Sequence, residues 1–202
     1  MNRKDHWEKI YTTKLPHEVS WTQDVPKTSL SLISELNLDP SVSIIDIGGG
    51  DGNFVDHLLE LGYQNITVLD ISEAAIERAK SRLGSKAKNV KWIVSDILEF
   101  KPNQMYNLWH DRAVFHFLTS EVEIDSYKQL VSANATNIVL GTFATDGPLK
   151  CSGLAISQYN EEKIRETFSP PYRISKFVTQ IHKTPFETTQ NFVFALLKRE
   201  LQ

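Results

Sequence analysis

A glycine-rich loop follows the first apolar run of the chain. It reads D-I-G-G-G-D-G from Asp46 to Gly52 and places Gly48, Gly50 and Gly52 at alternate positions. Glycine lets a backbone turn tightly and lets a ligand come close where a Cβ atom would clash, so we expect Gly50 to lie at an exposed turn facing ligand space. The N–H groups that open the next helix can contact polar ligand atoms. An ordinary strand-to-helix turn is the alternative, because glycine-rich turns are common.

Two acidic residues follow the next two apolar runs. Asp70 ends the second run, where a carboxylate in a doubly wound sheet faces the crevice and can accept both hydroxyls of a ribose. We include the neighbouring Ile71 in this predicted site. Asp96 ends the third run and is placed to receive an adenine amino group, with Ile97 beside the ring. A helix cap is the alternative for Asp70, but Ser72 already supplies that cap.

The glycine loop, Asp70 and Asp96 can form one site only if a sheet brings the ends of their strands together. The sequence pattern predicts such a sheet. Short β-rich runs alternate with helical patterns, which is typical of a parallel α/β sheet. The predicted parallel strands are 42–47, 66–69, 90–94, 105–110 and 138–143. Runs 172–181 and 192–197 have no helix between them and should pair as an antiparallel hairpin. We therefore expect a Rossmann-like, seven-stranded, mostly parallel sheet with helices on both faces and a C-terminal antiparallel β-hairpin.

Residues 1–39 are predicted to form a helical extension, with a helix around 29–36, and residues 40–202 the main domain. The extension carries Trp7, Tyr11 and Trp21 in a polar stretch. It should dock on the sheet through its aromatic side, as simple packing or as a lid over a bound ligand. We expect Tyr11 and Trp21 to contact the ligand and Trp7 to anchor the segment.

The composition limits the class of partner and of compartment. The chain has 22 Lys and Arg against 25 Asp and Glu, a net charge of −3, which makes nucleic acid an improbable partner. A single cysteine, Cys151, fits a reducing compartment, and scattered histidines give no reason to expect a metal site. No apolar run is long enough to span a membrane, and the first residues lack a signal-peptide core, so we expect a cytoplasmic protein without membrane association.

A dinucleotide-binding loop is the nearest competing interpretation. The strict G-x-G-x-x-G fingerprint fails in both registers, because Gly48-x-Gly50 leads to Asn53 and Gly50-x-Gly52 leads to Val55. The phosphate-binding G-x-x-x-x-G-K-[ST] loop is also absent from the sequence. The D-x-G-x-G-x-G loop therefore favours a nucleoside with an amino-acid tail over a ligand with a pyrophosphate.

From about Pro40 onward, the chain resembles the class I S-adenosylmethionine-dependent methyltransferases. The resemblance rests on the glycine loop, on Asp70, on the Asp96–Ile97 pair and on the terminal hairpin. Three segments also resemble a bacterial branch of this family that has some likeness to thiopurine and protein-lysine methyltransferases: 7–21, 110–118 and 151–153. The resemblance implies S-adenosylmethionine as cofactor and a small molecule or protein side chain as methyl acceptor. A donor-binding protein without catalysis is the alternative, and a nicotinamide-dependent oxidoreductase is a distant third.

In this family, the residues after the fourth strand border both donor and acceptor. The resemblance therefore implies that His110 or Asp111 lies near the methionine part of the donor. A carboxylate such as Asp111 could pair with the amino group of the donor, while a histidine or Arg112 would suit an acceptor anion. His116 is a candidate general base because histidine titrates near neutral pH, although a structural histidine within F-H-F is the alternative. Arg112 is equally open to an interpretation as a solvated or ion-paired residue. Asp111, Arg112 and His116 are the predicted catalytic residues.

Overall fold

A computed structural model of the protein describes residues 2–200 and contains a seven-stranded sheet in the order β3-β2-β1-β4-β5-β9-β8. The strands of this sheet are β1 (Ser43–Ile47), β2 (Asn65–Asp70), β3 (Val90–Val94), β4 (Tyr106–Arg112), β5 (Ala135–Phe143), β8 (Tyr172–Lys183) and β9 (Thr189–Arg199), and a small separate hairpin joins β6 (Lys150–Cys151) to β7 (Leu154–Ala155). The α-helices are α1 (Arg3–Thr13), α2 (Lys27–Ser34), α3 (Phe54–Glu60), α4 (Glu73–Leu83), α5 (Glu121–Asn134) and α6 (Glu161–Phe168).

The sheet has the predicted direction of its strands. Strands β1 to β5 are parallel to their neighbours, whereas β9 runs antiparallel to both β5 and β8. All five residues of β1 are buried, as expected for a central parallel strand that is covered on both faces. The predicted mostly parallel sheet with a C-terminal antiparallel hairpin is confirmed.

Helices cover both faces because strand side chains alternate in direction. Ile45 and Ile47 of β1 belong to one apolar core together with residues of α5 and α6. Ile44 belongs to a second core, which includes side chains of α2, α3 and α4. Within residues 2–200, no helix is long and apolar enough to cross a membrane.

The helix predicted around residues 29–36 is α2, which begins at Lys27 and ends at Ser34. Its Leu32 and Ile33 are buried in the second core, and α2 contacts β5 and β9. Within the predicted extension, α2 is therefore part of the helical layer of the sheet. Helix α1 and the 3-10 turn Pro16–Glu18 lie outside that layer.

Several elements differ from the predicted bounds. Strand β4 continues to Arg112 rather than ending at His110, because Asp111 and Arg112 pair in register with Leu140 and Gly141 of β5. Apolar patterning cannot reveal this extension, since the added residues are charged. Strand β5 begins at Ala135, directly after α5, and the β6–β7 hairpin was not predicted.

Candidate functional site

The candidate site is a cavity of about 320 Å³ at the carboxyl edge of the parallel strands, which we call the edge cavity. Its volume lies in the range of small-molecule sites. Most of the residues predicted for the site line it: Tyr11, Trp21, Asp46, Gly48, Gly52, Asp70, Ile71, Asp96, Ile97, His110 and Arg112. Three predicted residues, Gly50, Asp111 and His116, are not among the lining residues.

The glycine loop follows β1 and needs glycine at Gly48. This residue has φ +63°, and a Cβ atom there would overlap the side chain of Val114, which also lines the cavity. The backbone N–H groups of Gly48 and Gly49 donate to the carbonyl of Leu69, at 2.7 and 3.2 Å. The loop is thereby held against the end of β2 with its backbone at the cavity wall.

Gly50 does not lie at the exposed turn that we expected. It is buried with φ +54°, and a Cβ atom built on it would lie 2.6 Å from the hydroxyl oxygen of Tyr11. The same atom would lie 3.4 Å from Oδ2 of Asp70. Gly50 therefore leaves room for the Tyr11 side chain of the extension. The prediction of an exposed turn was wrong because the sequence does not show what covers the loop.

Asp46 and His110 form a buried pair on adjacent strands. His110 Nδ1 lies 2.7 Å from Asp46 Oδ1, and Nε2 lies 2.8 Å from the hydroxyl of Ser29 on α2. The imidazole also stacks on the Phe54 ring, with centroids 4.0 Å apart. Because both ring nitrogens are engaged within the chain, His110 forms a fixed wall of the cavity. Its predicted contact with the methionine part of the donor stays a prediction.

Asp70 ends β2 at the cavity and is only 4% exposed. Its Oδ1 accepts a hydrogen bond from the N–H of Ser72 at 2.8 Å. Burial raises the pKa of Asp70 from 3.8 to about 7, although N–H groups of Ser72 and Gly50 partly oppose this rise. A buried carboxylate with a perturbed pKa in a cavity is typical of a functional site.

Asp96 follows β3, the strand next to β2, and lines the cavity together with Ile97. Its Oδ1 accepts from the N–H of Leu98 at 3.0 Å, and its Oδ2 lies 3.2 Å from Nη1 of Arg3. Arg3 also contacts Glu123 at 2.6 Å. The predicted adenine-binding carboxylate is thus already bridged to α1, whose first residue reaches across the cavity edge.

Helix α1 is also joined to the start of α4. The carboxylate of Glu8 accepts from the hydroxyl of Ser72 at 2.7 Å and from the N–H of Ala74 at 3.1 Å. This contact supplies a negative charge to the N-terminus of α4, where the helix dipole favours it. Two polar contacts, at Arg3 and at Glu8, therefore hold α1 beside the predicted adenine and ribose positions.

An aromatic cluster completes the docking of the extension. The ring of Trp7 lies 5.1 Å from that of Phe117 and 5.8 Å from that of Trp21. Tyr11 is 8% exposed and lies 6.3 Å from Trp21. All four rings line the edge cavity. The extension therefore covers the cavity through its aromatic side, while its role as a lid stays a prediction.

Asp111 faces away from the cavity. It is fully buried, and its Oδ1 accepts from the N–H groups of Val114 and Phe115, at 3.0 and 3.2 Å. Its Oδ2 accepts from the hydroxyl of Tyr127 on α5 at 2.6 Å. Burial raises the pKa of Asp111 to about 6. In this structure Asp111 shapes the segment after β4, and the geometry does not bring it to the cavity as a catalytic group.

His116 is also enclosed. Its ring is fully buried between Phe117 and Phe143, at centroid distances of 4.4 and 4.6 Å, and neither ring nitrogen has a hydrogen-bond partner among residues 2–200. Burial and the nearby Arg112 lower the pKa of His116 to about 3. An imidazole in this position is neutral at pH 7 and a weak base. The geometry therefore does not support the predicted general base.

Arg112 is the predicted catalytic residue that lines the cavity. Its Nη1 donates to the carbonyl of Trp21 at 3.0 Å, and its guanidinium carbon lies 5.4 Å from the centre of the Phe192 ring. Burial lowers its pKa to about 10, so it stays charged at neutral pH. Sequence reasoning missed its cavity neighbours Phe143, Phe192 and Cys151. Phe143 and Phe192 pair across β5 and β9 at the same edge, a proximity that the predicted strand ends could have indicated.

Comparisons with known proteins agree with this arrangement. A family profile described as a methyltransferase domain matches residues 44–134. An eEF1A lysine and N-terminal methyltransferase of Mus musculus is 30% identical over 125 residues, 59% of this chain and 17% of that protein. Malonyl-[acyl-carrier protein] O-methyltransferase 2 of Ilyobacter polytropus is 30% identical over 105 residues, 52% of this chain and 40% of that protein. The chain thus spans less than half the length of these two relatives.

Solved structures share the fold over nearly the whole chain. A SAM-dependent methyltransferase from Anabaena variabilis has a TM-score of 0.75 at 19% identity and covers 99% of this chain and 96% of its own. Magnesium protoporphyrin IX methyltransferase from Synechocystis, solved with bound SAM, has a TM-score of 0.65 at 19% identity, covering 95% of this chain and 89% of its own. The chain therefore shares the Rossmann-like fold of these proteins. In sequence and in fold, the chain is thus similar to S-adenosylmethionine-dependent methyltransferases.

Proposed function

We propose that this protein binds S-adenosylmethionine in the edge cavity and transfers its methyl group to a small molecule or a protein side chain. One observation carries the proposal: the glycine loop, Asp70 and Asp96, which are far apart in sequence, line one cavity. The names of the two curated relatives add support, since one is a protein methyltransferase and the other an O-methyltransferase.

The residues present suit this donor. At Gly48 the main chain itself lines the cavity, because a Cβ atom at this position would overlap the side chain of Val114. Asp70 is proposed to accept the ribose hydroxyls, and Asp96 the adenine amino group beside Ile97. S-adenosylmethionine, when bound, supplies a methyl group on a positively charged sulfur. These assignments of Asp70, Asp96 and Ile97 are proposals that rest on their position along the cavity wall.

The chain is proposed to accelerate transfer mainly by positioning. Methyl transfer from sulfur is an in-line displacement, so holding the acceptor at contact distance can supply much of the rate. A base is needed only when the acceptor must lose a proton. Because His116 is neutral and enclosed, we propose that it does not act as that base. Arg112 and the surrounding aromatic rings orient the acceptor, and the docked α1 keeps water out.

A donor-binding protein without transfer is the second candidate. It is favoured by the positions of Asp111 and His116, which are predicted catalytic residues that do not line the cavity. We further propose a cytoplasmic location, supported by the buried free thiol of Cys151, which fits a reducing compartment.

A transfer assay separates the two candidates. Protein is incubated with S-adenosylmethionine that carries a labelled methyl group and with pools of small molecules and proteins as acceptors. The proposed enzyme labels an acceptor and forms S-adenosylhomocysteine in equal amount, and Asp70→Asn loses this activity while the surface control Asp125→Asn keeps it. Donor binding with no label transferred to any pool supports the second candidate.

A further inference from the structure

Arg112 holds two buried hydrogen-bond donors without partners. Its Nε and Nη2 are shielded from solvent, and neither has a hydrogen-bond partner among residues 2–200. Within the described part of the chain, only Nη1 is engaged, with the carbonyl of Trp21 at 3.0 Å. Buried polar groups are almost always hydrogen-bonded, and a charged group left unsatisfied costs more than a neutral one. An arrangement of this kind inside a ligand cavity indicates a missing anionic partner.

The two free donors lie on one side of the guanidinium. Nε–H and one Nη2–H point in the same direction, and this edge matches the two oxygens of a carboxylate in a bidentate pair. The Asp46 carboxylate raises the pKa of Arg112 by its charge, but its Oδ1 is already bound to His110. Burial raises the pKa of Cys151 to about 11, so its thiol is neutral and does not neutralise the guanidinium.

The strand order places Arg112 across β1 from the proposed nucleoside positions. Asp96 follows β3 and Asp70 ends β2, whereas Arg112 ends β4, on the other side of β1. Beyond Arg112 lie Phe143 of β5 and Phe192 of β9, which both line the cavity. The proposed nucleoside positions and Arg112 therefore flank the glycine loop. The apolar space beside Arg112 is left for the methyl acceptor.

We infer that Arg112 binds a carboxylate of the methyl acceptor and that the aromatic rings beside it hold an apolar or aromatic body. The preferred substrate class is thus an aromatic or aliphatic carboxylic acid. This inference rests on the proposed function, because it needs a bound donor on the other side of the glycine loop. The α-carboxylate of the donor itself is the other source of the same chemistry, and the test below distinguishes the two.

The test uses phenylacetate and its neutral analogue phenylacetamide as probes. Each is titrated by calorimetry into the full chain saturated with S-adenosylhomocysteine. We expect phenylacetate to bind about tenfold more tightly than phenylacetamide, or better, because a charge-assisted bidentate pair is stronger than a neutral hydrogen bond. This comparison needs no variant. Equal affinities of the two probes would overturn the inference.

Variants at Arg112 identify which carboxylate is bound. Arg112→Gln should abolish the preference for phenylacetate. Arg112→Lys keeps the positive charge but lacks the paired N–H donors of a guanidinium, so it should retain only part of the preference. Both variants should bind S-adenosylhomocysteine as the wild type does. If instead that affinity falls at least tenfold while 5′-methylthioadenosine, which lacks the amino-acid tail, binds normally, Arg112 holds the donor tail and the inference is wrong. If the wild type binds no S-adenosylhomocysteine, the proposed function itself fails.

Discussion

Replacing Asp70 with asparagine should stabilise the free protein and weaken donor binding at the same time. The side chain keeps its shape, and an amide oxygen can still accept from the N–H of Ser72, but the buried charge is removed. The two opposite effects have one cause, since a carboxylate that is costly to bury is also the stronger acceptor for ribose hydroxyls. A residue with only a structural role would not show this combination.

The structure gives the magnitudes. The pKa of Asp70 rises from 3.8 to about 7 on folding, so the folded protein binds more protons than the unfolded chain between these values. Stability contributed by this group is therefore lost as pH rises from about 4 to about 7, by roughly 4 kcal/mol in total. Asp70→Asn escapes this loss and should be more stable than the wild type at pH 8 but not below pH 4.

Binding should change in the other direction. Losing a charged hydrogen-bond partner costs about 1–3 kcal/mol, or roughly 5- to 150-fold in affinity for S-adenosylhomocysteine at pH 8. Because the ionised form of Asp70 is the better acceptor, wild-type affinity should also fall about tenfold between pH 8 and pH 6. In Asp70→Asn, residue 70 no longer titrates, so it should contribute no pH dependence to the affinity for S-adenosylhomocysteine.

Calorimetry at pH 6 and 8 and urea unfolding between pH 4 and 8 measure both effects. Asp125→Asn is the matched control, because this carboxylate is 64% exposed on α5 and forms a surface ion pair with Lys128 at 3.5 Å. Unchanged affinity in Asp70→Asn at pH 8 would remove Asp70 from the donor site. A variant less stable than the wild type at pH 8 would refute the argument from burial.

Three further outcomes are expected. Gly50→Val should weaken S-adenosylhomocysteine binding by displacing Tyr11, seen as faster hydrogen exchange in α1; a folded variant with unchanged exchange would contradict this. Deleting residues 1–22 should weaken donor binding and abolish transfer, and product should protect this segment in the full chain; equal affinity and unaffected exchange would exclude a lid. His116→Leu should match or exceed wild-type thermal stability, since it replaces two unpartnered buried nitrogens, and keep donor binding; loss of transfer alone would restore His116 as a base.

Much of the fold could be predicted because burial leaves a direct mark on the sequence. Strand β1 lies within a nearly continuous apolar run. Ser72 caps α4 because its hydroxyl oxygen accepts a hydrogen bond from the N–H of Ala75. Asp70 could be placed because the carboxyl ends of parallel strands meet at one edge. These inferences need only local pattern and the topology of the sheet.

The remaining features depend on contacts between distant residues. Asp111 and Arg112 are neighbours at the end of β4, yet only Arg112 lines the cavity, and His116 in the turn after β4 is enclosed by aromatic rings. The sequence pattern does not reveal these side-chain environments. The extension contacts residues far along the chain: Tyr11 packs over Gly50, and Arg3 forms an ion pair with Asp96. A pattern of residue types indicates that the extension docks, but not which side chains it covers.

The central claim is that the edge cavity binds the donor, and a calorimetric titration of the wild-type chain tests it most directly. We predict that S-adenosylhomocysteine binds at one site per chain and that saturating NAD does not change its affinity. We further predict that S-adenosylmethionine competes for that same site. No heat of binding with S-adenosylhomocysteine, or its displacement by NAD, would contradict the account.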